Sequence, residues 1–199
     1  MAATESLPLD LGMLLPSFRL PLVSGEGEWG SDQCAGKVTL VIFLCAHCPY
    51  VLHVVPELAR IARDYASRDV TLVGITSNDP VAYPQDAPLP THAFATQNGL
   101  SFPIVFDAEQ TVARAFSAAC TPDFYLFSPD SRLVYHGQID DSRPMRGPDR
   151  PGRGTLNGAE LRAALDAALA GDGPRSPQLP SIGCSIKWKP GNEPAPAAH

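Results

Sequence analysis

The sequence has little positive charge and no long apolar segment. Its 199 residues include 15 Lys and Arg against 21 Asp and Glu, a net charge of −6, which argues against binding to nucleic acid or to an anionic membrane surface. No segment reaches the roughly 20 consecutive apolar residues that cross a bilayer. Residues 1–10 contain no basic stretch followed by an apolar one, so no secretory signal is predicted. We therefore expect a cytoplasmic protein, in which cysteines are mostly reduced and a disulfide would be catalytic or regulatory.

The sequence also lacks the motifs of several large enzyme classes. It has no glycine-rich phosphate loop, no Ser-His-Asp order typical of hydrolases and no paired carboxylates for acid–base catalysis. Cysteine is sparse, at five residues, but two of them form a Cys-x-x-Cys motif at residues 45–48. The motif directly follows the most hydrophobic run, residues 38–44, and directly precedes Pro49. A Cys-x-x-Cys between a buried strand and a helix start is typical of thiol–disulfide chemistry, because free N–H groups and the helix dipole favour the thiolate there.

Hydrophobic periodicity predicts a domain of alternating strands and helices. The predicted strands cover residues 38–44, 70–75 and 102–106, with an antiparallel hairpin at 123–127 and 132–136. The predicted helices cover residues 49–67 and 91–98, with two more that begin near 107 and 157. Parallel strands followed by a hairpin give an α/β fold with a central mixed β-sheet flanked by helices. We assign residues 1–171 to this domain, with an irregular N-terminal extension at 1–15, and residues 172–199 to a Pro-rich tail that packs on or near it.

Two predicted helix starts depend on side-chain caps. Asp107 with Gln110, and Asn157 with Glu160, have the spacing of capping boxes. Residues 78–90 hold four of the 21 prolines and are predicted as a long loop without a helix.

The order of elements, with a Cys-x-x-Cys after the first buried strand and Thr121-Pro122 before the hairpin, resembles the thioredoxin fold over residues 15–170. Four motifs resemble the redoxin branch related to alkyl hydroperoxide reductase and thiol-specific antioxidant proteins: residues 45–50, 119–124, 137–144 and 181–184. The resemblance implies that Pro122 is a cis-proline facing the cysteine pair and shaping a docking groove. It also implies a thiol–disulfide oxidoreductase with no organic cofactor, whose partners are an oxidised protein or small-molecule substrate and an external thiol reductant.

We favour Cys48 as the nucleophile and Cys45 as the thiol that resolves the mixed disulfide. If the helix begins at Pro49, Cys48 is its N-cap, where the dipole acts most strongly. The eight residues from Cys48 to Pro56 also resemble the spacing from the attacking cysteine of thioredoxin to its own helix proline. The alternative is the reverse assignment of the two cysteines. His47 between them resembles the histidine of strongly oxidising oxidoreductases, where it stabilises the thiolate, although an exposed loop histidine is the other interpretation.

The other three cysteines have weaker signals. Cys120 precedes Thr121-Pro122 and Cys184 lies in an apolar island of the tail, so either could be an additional redox thiol, with Cys184 paired to Cys120 or Cys48. Both could equally be buried structural residues, since free cysteine is among the most buried residue types. Cys34 is predicted to be structural on the same grounds.

The sequence is also compatible with two other functions. The first is a thiol peroxidase, although a peroxiredoxin site has Pro and Thr upstream of its cysteine, where this chain has Val41 and Cys45, and an Arg that the sequence does not place. The second is a metal-binding module, because its candidate ligands have side chains that suit Zn²⁺ or Cu(I): Cys45, Cys48, Cys120, Cys184 and His47. The spacing of these residues matches no structural zinc pattern.

Overall fold

The computed structural model describes residues 3–145, 152–174 and 177–194. Its strands are β1 (Ala3–Glu5), β2 (Arg19–Pro21), β3 (Glu28–Gly30), β4 (Val38–Phe43), β5 (Val70–Thr76), β6 (Ile104–Phe106), β7 (Cys120–Thr121), β8 (Asp123–Phe127), β9 (Leu133–His136) and β10 (Ile182–Ser185). Its α-helices are α1 (Pro49–Asp64), α2 (Pro88–Gln97), α3 (Thr111–Ala115) and α4 (Ala159–Ala170). Within the described ranges, no helix combines the length and apolar character that crossing a membrane requires.

The central sheet has the strand order β6-β5-β4-β8-β9. β4 is parallel to β5, and β5 to β6, whereas β8 is antiparallel to both β4 and β9. All six residues of β4 are buried, as expected for a β-branched apolar strand covered on both faces. The prediction of a mixed sheet flanked by helices is confirmed.

The sheet separates two hydrophobic cores. Leu40 and Ile42 of β4 contribute to the core beneath α1 and α4, while Val41 and Phe43 face a second core rich in aromatic residues. This alternation follows from the two-residue period of a strand. The predicted inner stripe of α1 is also buried: Val51, Val55, Leu58 and Ala62, with Tyr65 just beyond the helix. The Cys-x-x-Cys lies on the α1 side of the sheet, and Cys34 lies in the second core.

The predicted capping box at Asp107 is wrong, although Asp107 does cap the helix. Gln110 adopts a left-handed conformation with φ 58° and is the N-cap of α3. The Asp107 carboxylate therefore accepts hydrogen bonds from N–H groups in the first turn of α3, those of Val112 and Ala113. The Gln110 amide instead donates to the Ser77 and Lys187 carbonyls, so it ties the tail to the sheet.

The box predicted at Asn157 and Glu160 is only half right: the Asn157 side-chain oxygen accepts a hydrogen bond from the Ala159 N–H at 3.0 Å, but Glu160 takes no part. α4 has Gly158 as its N-cap, with φ 65°. The buried Asp140 carboxylate accepts hydrogen bonds from the N–H groups of Asn157 at 2.8 Å and Gly158 at 2.7 Å, which satisfies donors near the helix start from a distant loop. The Glu160 side chain bonds Gln138 instead.

Both ends of the chain join the domain through a small second sheet. β1 pairs antiparallel with β10, and β10 pairs antiparallel with β7, in the order β1-β10-β7. The prediction of an irregular extension over residues 1–15 is therefore wrong at β1.

The predicted loop at residues 78–90 is wrong at its C-terminal end, because α2 begins at Pro88. Proline suits the first turn of a helix, where its missing N–H is not needed.

Candidate active site

Three segments converge on the predicted cysteine pair. The first is the turn between β4 and α1, where Cys48 is the N-cap of α1, as predicted, with φ −72° and ψ 124°. The second is β7, followed by a cis peptide bond between Thr121 and Pro122, which confirms the cis-proline that the family resemblance implied. The third is β10, whose Cys184 lies opposite Thr121 in the antiparallel register.

Cys48 is fully buried, at 0% exposure, and is surrounded by hydrogen-bond donors. The Cys184 thiol, the Cys45 thiol and the N–H groups of Val51 and Cys184 all favour its ionised form, and together they hold the pKa of Cys48 well below its ordinary value against the opposing effect of burial. When protonated, the Cys48 thiol donates to the Thr121 carbonyl oxygen at 3.1 Å. Donors to a thiolate at a helix start are the arrangement expected for a reactive cysteine.

Cys45 has the opposite character. Its hydrogen bond to Cys48, then burial, then the charge of Asp86 raise the pKa of Cys45 far above its ordinary value. Its sulfur also lies 3.3 Å from the Thr121 hydroxyl oxygen. The hydrogen bond between the two sulfurs therefore lowers the pKa of Cys48 and raises that of Cys45.

His47 lies near Cys45 and is held by residues that the sequence did not indicate. Its Nδ1 lies 2.6 Å from Asp86 Oδ2, and its ring stacks on Tyr83 with centroids 5.5 Å apart. Asp86 is itself fully buried and accepts hydrogen bonds from the Ala46 N–H at 2.9 Å and the Asn78 amide at 2.7 Å. The His47 side chain is 15% exposed, so it is not the freely solvated loop residue of the alternative interpretation.

Cys120 and Cys34 are placed differently from Cys184. Cys120 is buried, its sulfur lies 3.7 Å from the Pro122 carbonyl oxygen, and burial followed by the charge of Asp123 raises the pKa of its thiol. Burial likewise raises the pKa of Cys34, which lies across the sheet in the second core. The structure therefore brings Cys45, Cys48 and Cys184 into one cluster and keeps Cys34 out of it.

A groove runs beside Pro122, on the side formed by the start of α1 and the loop after β9. It is lined by Tyr50, His53, Pro122, Phe124, Gln138 and Arg143, among other residues. The Arg143 guanidinium is held there by hydrogen bonds to the carbonyls of Asp140 and Ser142 and to the Gln138 side chain. Residues 137–144, one of the four motifs noted in the sequence, thus form a wall of this groove.

Two residues of the Cys-x-x-Cys motif, Cys45 and His47, also belong to a group of possible metal ligands. Among the described residues, one group has its ligand atoms within 4.8 Å of one another: Cys45, His47 and Asp86. Both ring nitrogens of His47 are buried without an aligned hydrogen bond from the described residues. A thiol, an imidazole and a carboxylate are ligand types that Zn²⁺ accepts, but the set differs from the cysteine-rich one considered from the sequence.

Comparison with known proteins identifies the class. A model of the AhpC/TSA family matches residues 11–136. A crystal structure of an uncharacterized conserved protein from Geobacillus kaustophilus is 44% identical, with 96% of this chain and 98% of that chain covered and a TM-score of 0.89. A hypothetical protein from Sinorhizobium meliloti is 41% identical, with 94% and 100% covered and a TM-score of 0.88. The search of curated proteins gave no match.

More distant structures share the fold alone. A secreted disulfide oxidoreductase from Mycobacterium tuberculosis is 19% identical, with 75% of this chain and 95% of that chain covered and a TM-score of 0.56. The fold, the cis-proline and the cysteine pair at a helix start define a redoxin of the thioredoxin superfamily. Within that superfamily, the chain belongs to the AhpC/TSA family, which supports a general redox role.

Proposed function

We propose that the protein is a thiol–disulfide oxidoreductase with Cys48 as nucleophile and Cys45 as resolving thiol. The observation that carries this proposal is the position of the pair: Cys48 is the N-cap of α1 and receives hydrogen bonds from two thiols and two backbone N–H groups, which lower its pKa. The hydrogen bond to Cys48 instead raises the pKa of Cys45. A thiolate is the nucleophile in disulfide exchange.

The first step is attack by the Cys48 thiolate on one sulfur of a substrate disulfide. The substrate S–S bond breaks, a Cys48–substrate mixed disulfide forms, and the first substrate thiolate leaves. Cys48 then no longer carries a charge, so the main cause of the high Cys45 pKa, its hydrogen bond to Cys48, is removed. Loss of that cause lets Cys45 give up its proton when it is needed as the second nucleophile.

In the second step, Cys45 attacks Cys48 Sγ and its proton passes to the departing substrate thiolate. The substrate has then gained two electrons and one proton from the protein, its first thiolate takes a second proton from water, and the protein holds a Cys45–Cys48 disulfide. An external thiol reductant, the partner expected from the sequence, reopens this bond. The cytoplasmic setting predicted from the sequence belongs to the same proposal.

The groove beside Pro122 suits an extended segment of a substrate protein. Tyr50 and Phe124 give it apolar walls, and Arg143 and Gln138 give it polar groups at one end. The described groups that lower the pKa of Cys48 are thiols and backbone N–H groups, and none of them is an arginine. That environment favours disulfide exchange over the peroxidase alternative.

A direct comparison of the two activities tests the proposal. We expect the reduced protein to catalyse reduction of insulin disulfides by dithiothreitol, and stopped-flow mixing with hydrogen peroxide to show a rate close to that of an ordinary thiol. Matched Cys34→Ala protein should behave like wild type in both assays, because Cys34 lies across the sheet. Fast peroxide reduction without disulfide reduction would overturn the proposal in favour of a peroxidase.

The group formed by Cys45, His47 and Asp86 favours metal binding as the second candidate function. Its ligand atoms lie within 4.8 Å of one another, and a bound Zn²⁺ or Cu(I) would occupy the thiol that the redox cycle needs. Elemental analysis after gentle purification, together with a thiol titration, distinguishes the two. Stoichiometric metal that is lost in Asp86→Asn would favour this second function, and metal-free protein with a full thiol count would exclude a tight site.

A further inference from the structure

Cys184 is the third sulfur of the site, although it lies 136 residues beyond Cys48 in the sequence. Its backbone pairs with Thr121 across β10 and β7, and the Thr121 carbonyl is the group 3.1 Å from Cys48 Sγ. The Cys184 thiol and its own N–H both make hydrogen bonds to Cys48. One residue of the tail thus contacts the proposed nucleophile through both its side chain and its backbone.

The tail is fixed in this position by hydrogen bonds on both sides of Cys184. Before it, the Ser181 hydroxyl donates to the Gly137 carbonyl at 2.9 Å. After it, the Ile186 N–H donates to the Ala119 carbonyl at 3.1 Å, and the Lys187 N–H donates to the Asn78 side chain at 2.8 Å. Cys184 is fully buried, at 0% exposure, as is Cys48, and the hydrogen bond between the two thiols places them side by side inside the domain.

We propose that Cys184 is a second resolving thiol, so that Cys48 can close an intramolecular disulfide with either Cys45 or Cys184. This inference rests on the proposed function, because it begins from the same Cys48–substrate mixed disulfide. Cys184 attacks Cys48 Sγ, the bond from Cys48 to the substrate sulfur breaks, and the Cys184 proton passes to the substrate thiolate that leaves. The substrate gains two electrons and the protein holds a Cys48–Cys184 disulfide, which an external thiol reductant reopens.

Two resolving thiols have a functional consequence. In the Cys48–Cys184 state, Cys45 remains a thiol next to the disulfide and can attack Cys48, which would transfer the bond to Cys45 and release Cys184. The disulfide can therefore be formed with Cys184 and then moved to Cys45. We expect Cys120 to take no part in this exchange: its described hydrogen bond is to the Pro122 carbonyl at 3.7 Å, and Cys48 acts on it through charge, which adds to the effect of burial in raising the pKa of Cys120.

The test uses reduced Cys45→Ser protein and dithiobis(nitrobenzoate), a disulfide reagent that releases a coloured thiolate. Attack by Cys48 releases one equivalent, and resolution by Cys184 releases a second. We expect two equivalents from Cys45→Ser and one from Cys45→Ser/Cys184→Ser. Peptide mapping by mass spectrometry should find a Cys48–Cys184 disulfide in the single variant and a stable Cys48 adduct in the double variant.

Control variants separate resolution from other roles of Cys184. Serine at position 184 keeps a hydrogen-bond donor beside Cys48 but cannot form a disulfide, so this variant removes resolution by Cys184 while Cys48 can still attack the reagent and release the first equivalent. Cys45→Ser/Cys120→Ala should still release two equivalents. Circular dichroism of each variant checks that the fold is intact.

The outcomes distinguish failure of this inference from failure of the proposed function. A stable Cys48 adduct in Cys45→Ser, with the same lifetime as in the double variant, would overturn the role of Cys184 while leaving Cys48 as nucleophile. The role of Cys184 would also be overturned if Cys120, and not Cys184, forms the disulfide with Cys48 that releases the second equivalent. Wild-type protein whose first equivalent comes from a cysteine other than Cys48 would instead contradict the proposed function.

Discussion

Replacing Cys48 by serine should lower disulfide-reductase activity by about 1,000-fold or more, because a serine hydroxyl is not ionised at neutral pH and cannot attack a disulfide. Replacing Cys45 and Cys184 together by serine should leave the first attack intact and remove both proposed resolving thiols. A substrate-bound mixed disulfide should therefore accumulate in Cys45→Ser/Cys184→Ser and be absent from Cys48→Ser. Non-reducing electrophoresis of proteins trapped in a reconstituted assay measures both effects.

The matched control for this experiment is Cys34→Ala. Cys34 is buried like the other cysteines but lies in the second core, so its removal tests for a general effect of losing a buried thiol. Activity and trapping should both be unchanged. The reverse pattern, with trapping by Cys48→Ser and none by Cys45→Ser/Cys184→Ser, would assign the nucleophile to Cys45, as in the alternative interpretation of the sequence.

Gly183→Ala is expected to have the largest effect on stability. A Cβ at this position would lie 2.0 Å from the Thr121 carbonyl oxygen and 2.5 Å from its carbon, so the backbones of β7 and β10 would have to separate. Overpacking usually costs about 1–3 kcal/mol, and a clash with backbone belongs at or above the upper end of that range. Urea denaturation should therefore show a loss of about 3 kcal/mol or more in the free energy of unfolding.

Gly173→Ala is the control for this effect. Gly173 lies in the tail just after α4, and a Cβ added at this residue would meet no atom within 4 Å. Its free energy of unfolding should stay within about 0.5 kcal/mol of wild type, as for other surface substitutions. A wild-type stability for Gly183→Ala would contradict the close packing of the tail strand against Thr121, and with it the placement of Cys184.

The parts of the fold that follow from local sequence could be predicted. Five apolar residues at a 3.6-residue period gave the buried face of α1, and the unbroken apolar run from Val38 gave the central strand. Pro49 predicted the start of α1, and therefore the position of Cys48 as its N-cap. Each of these signals lies within a few residues of the feature that it predicts.

The parts that depend on long-range contacts could not be predicted in the same way. β1 is three residues long and pairs with a strand near the other end of the chain, so it shows no period of its own. Asn157 supplies one hydrogen bond at the start of α4, but Asp140, which supplies two more, precedes the helix by a long loop, whereas a capping box requires a partner three residues away. Asp86 and Tyr83, which hold His47, lie in a Pro-rich stretch that carries no periodic signal.

The candidate site shows the same division. The sequence motif gave Cys45, Cys48 and His47, and the family resemblance gave Pro122. The sequence could offer Cys184 only as one of several pairing alternatives, because nothing in the tail fixes its register. That register is set in three dimensions by pairing with Thr121.

The central claim is that Cys48, at the start of α1, is the acidic sulfur of the cluster. Alkylation by iodoacetamide across a pH series, with each site assigned by mass spectrometry, tests it most directly, since burial slows the reaction without changing the shape of the profile. Because the pKa of Cys48 is depressed and that of Cys45 is raised, the Cys48 rate should be nearly flat from about pH 8 to about pH 5, while Cys45 stays unreactive. A Cys48 rate that falls about tenfold per unit below about pH 8.5, or a flat profile at Cys45 instead, would contradict the account.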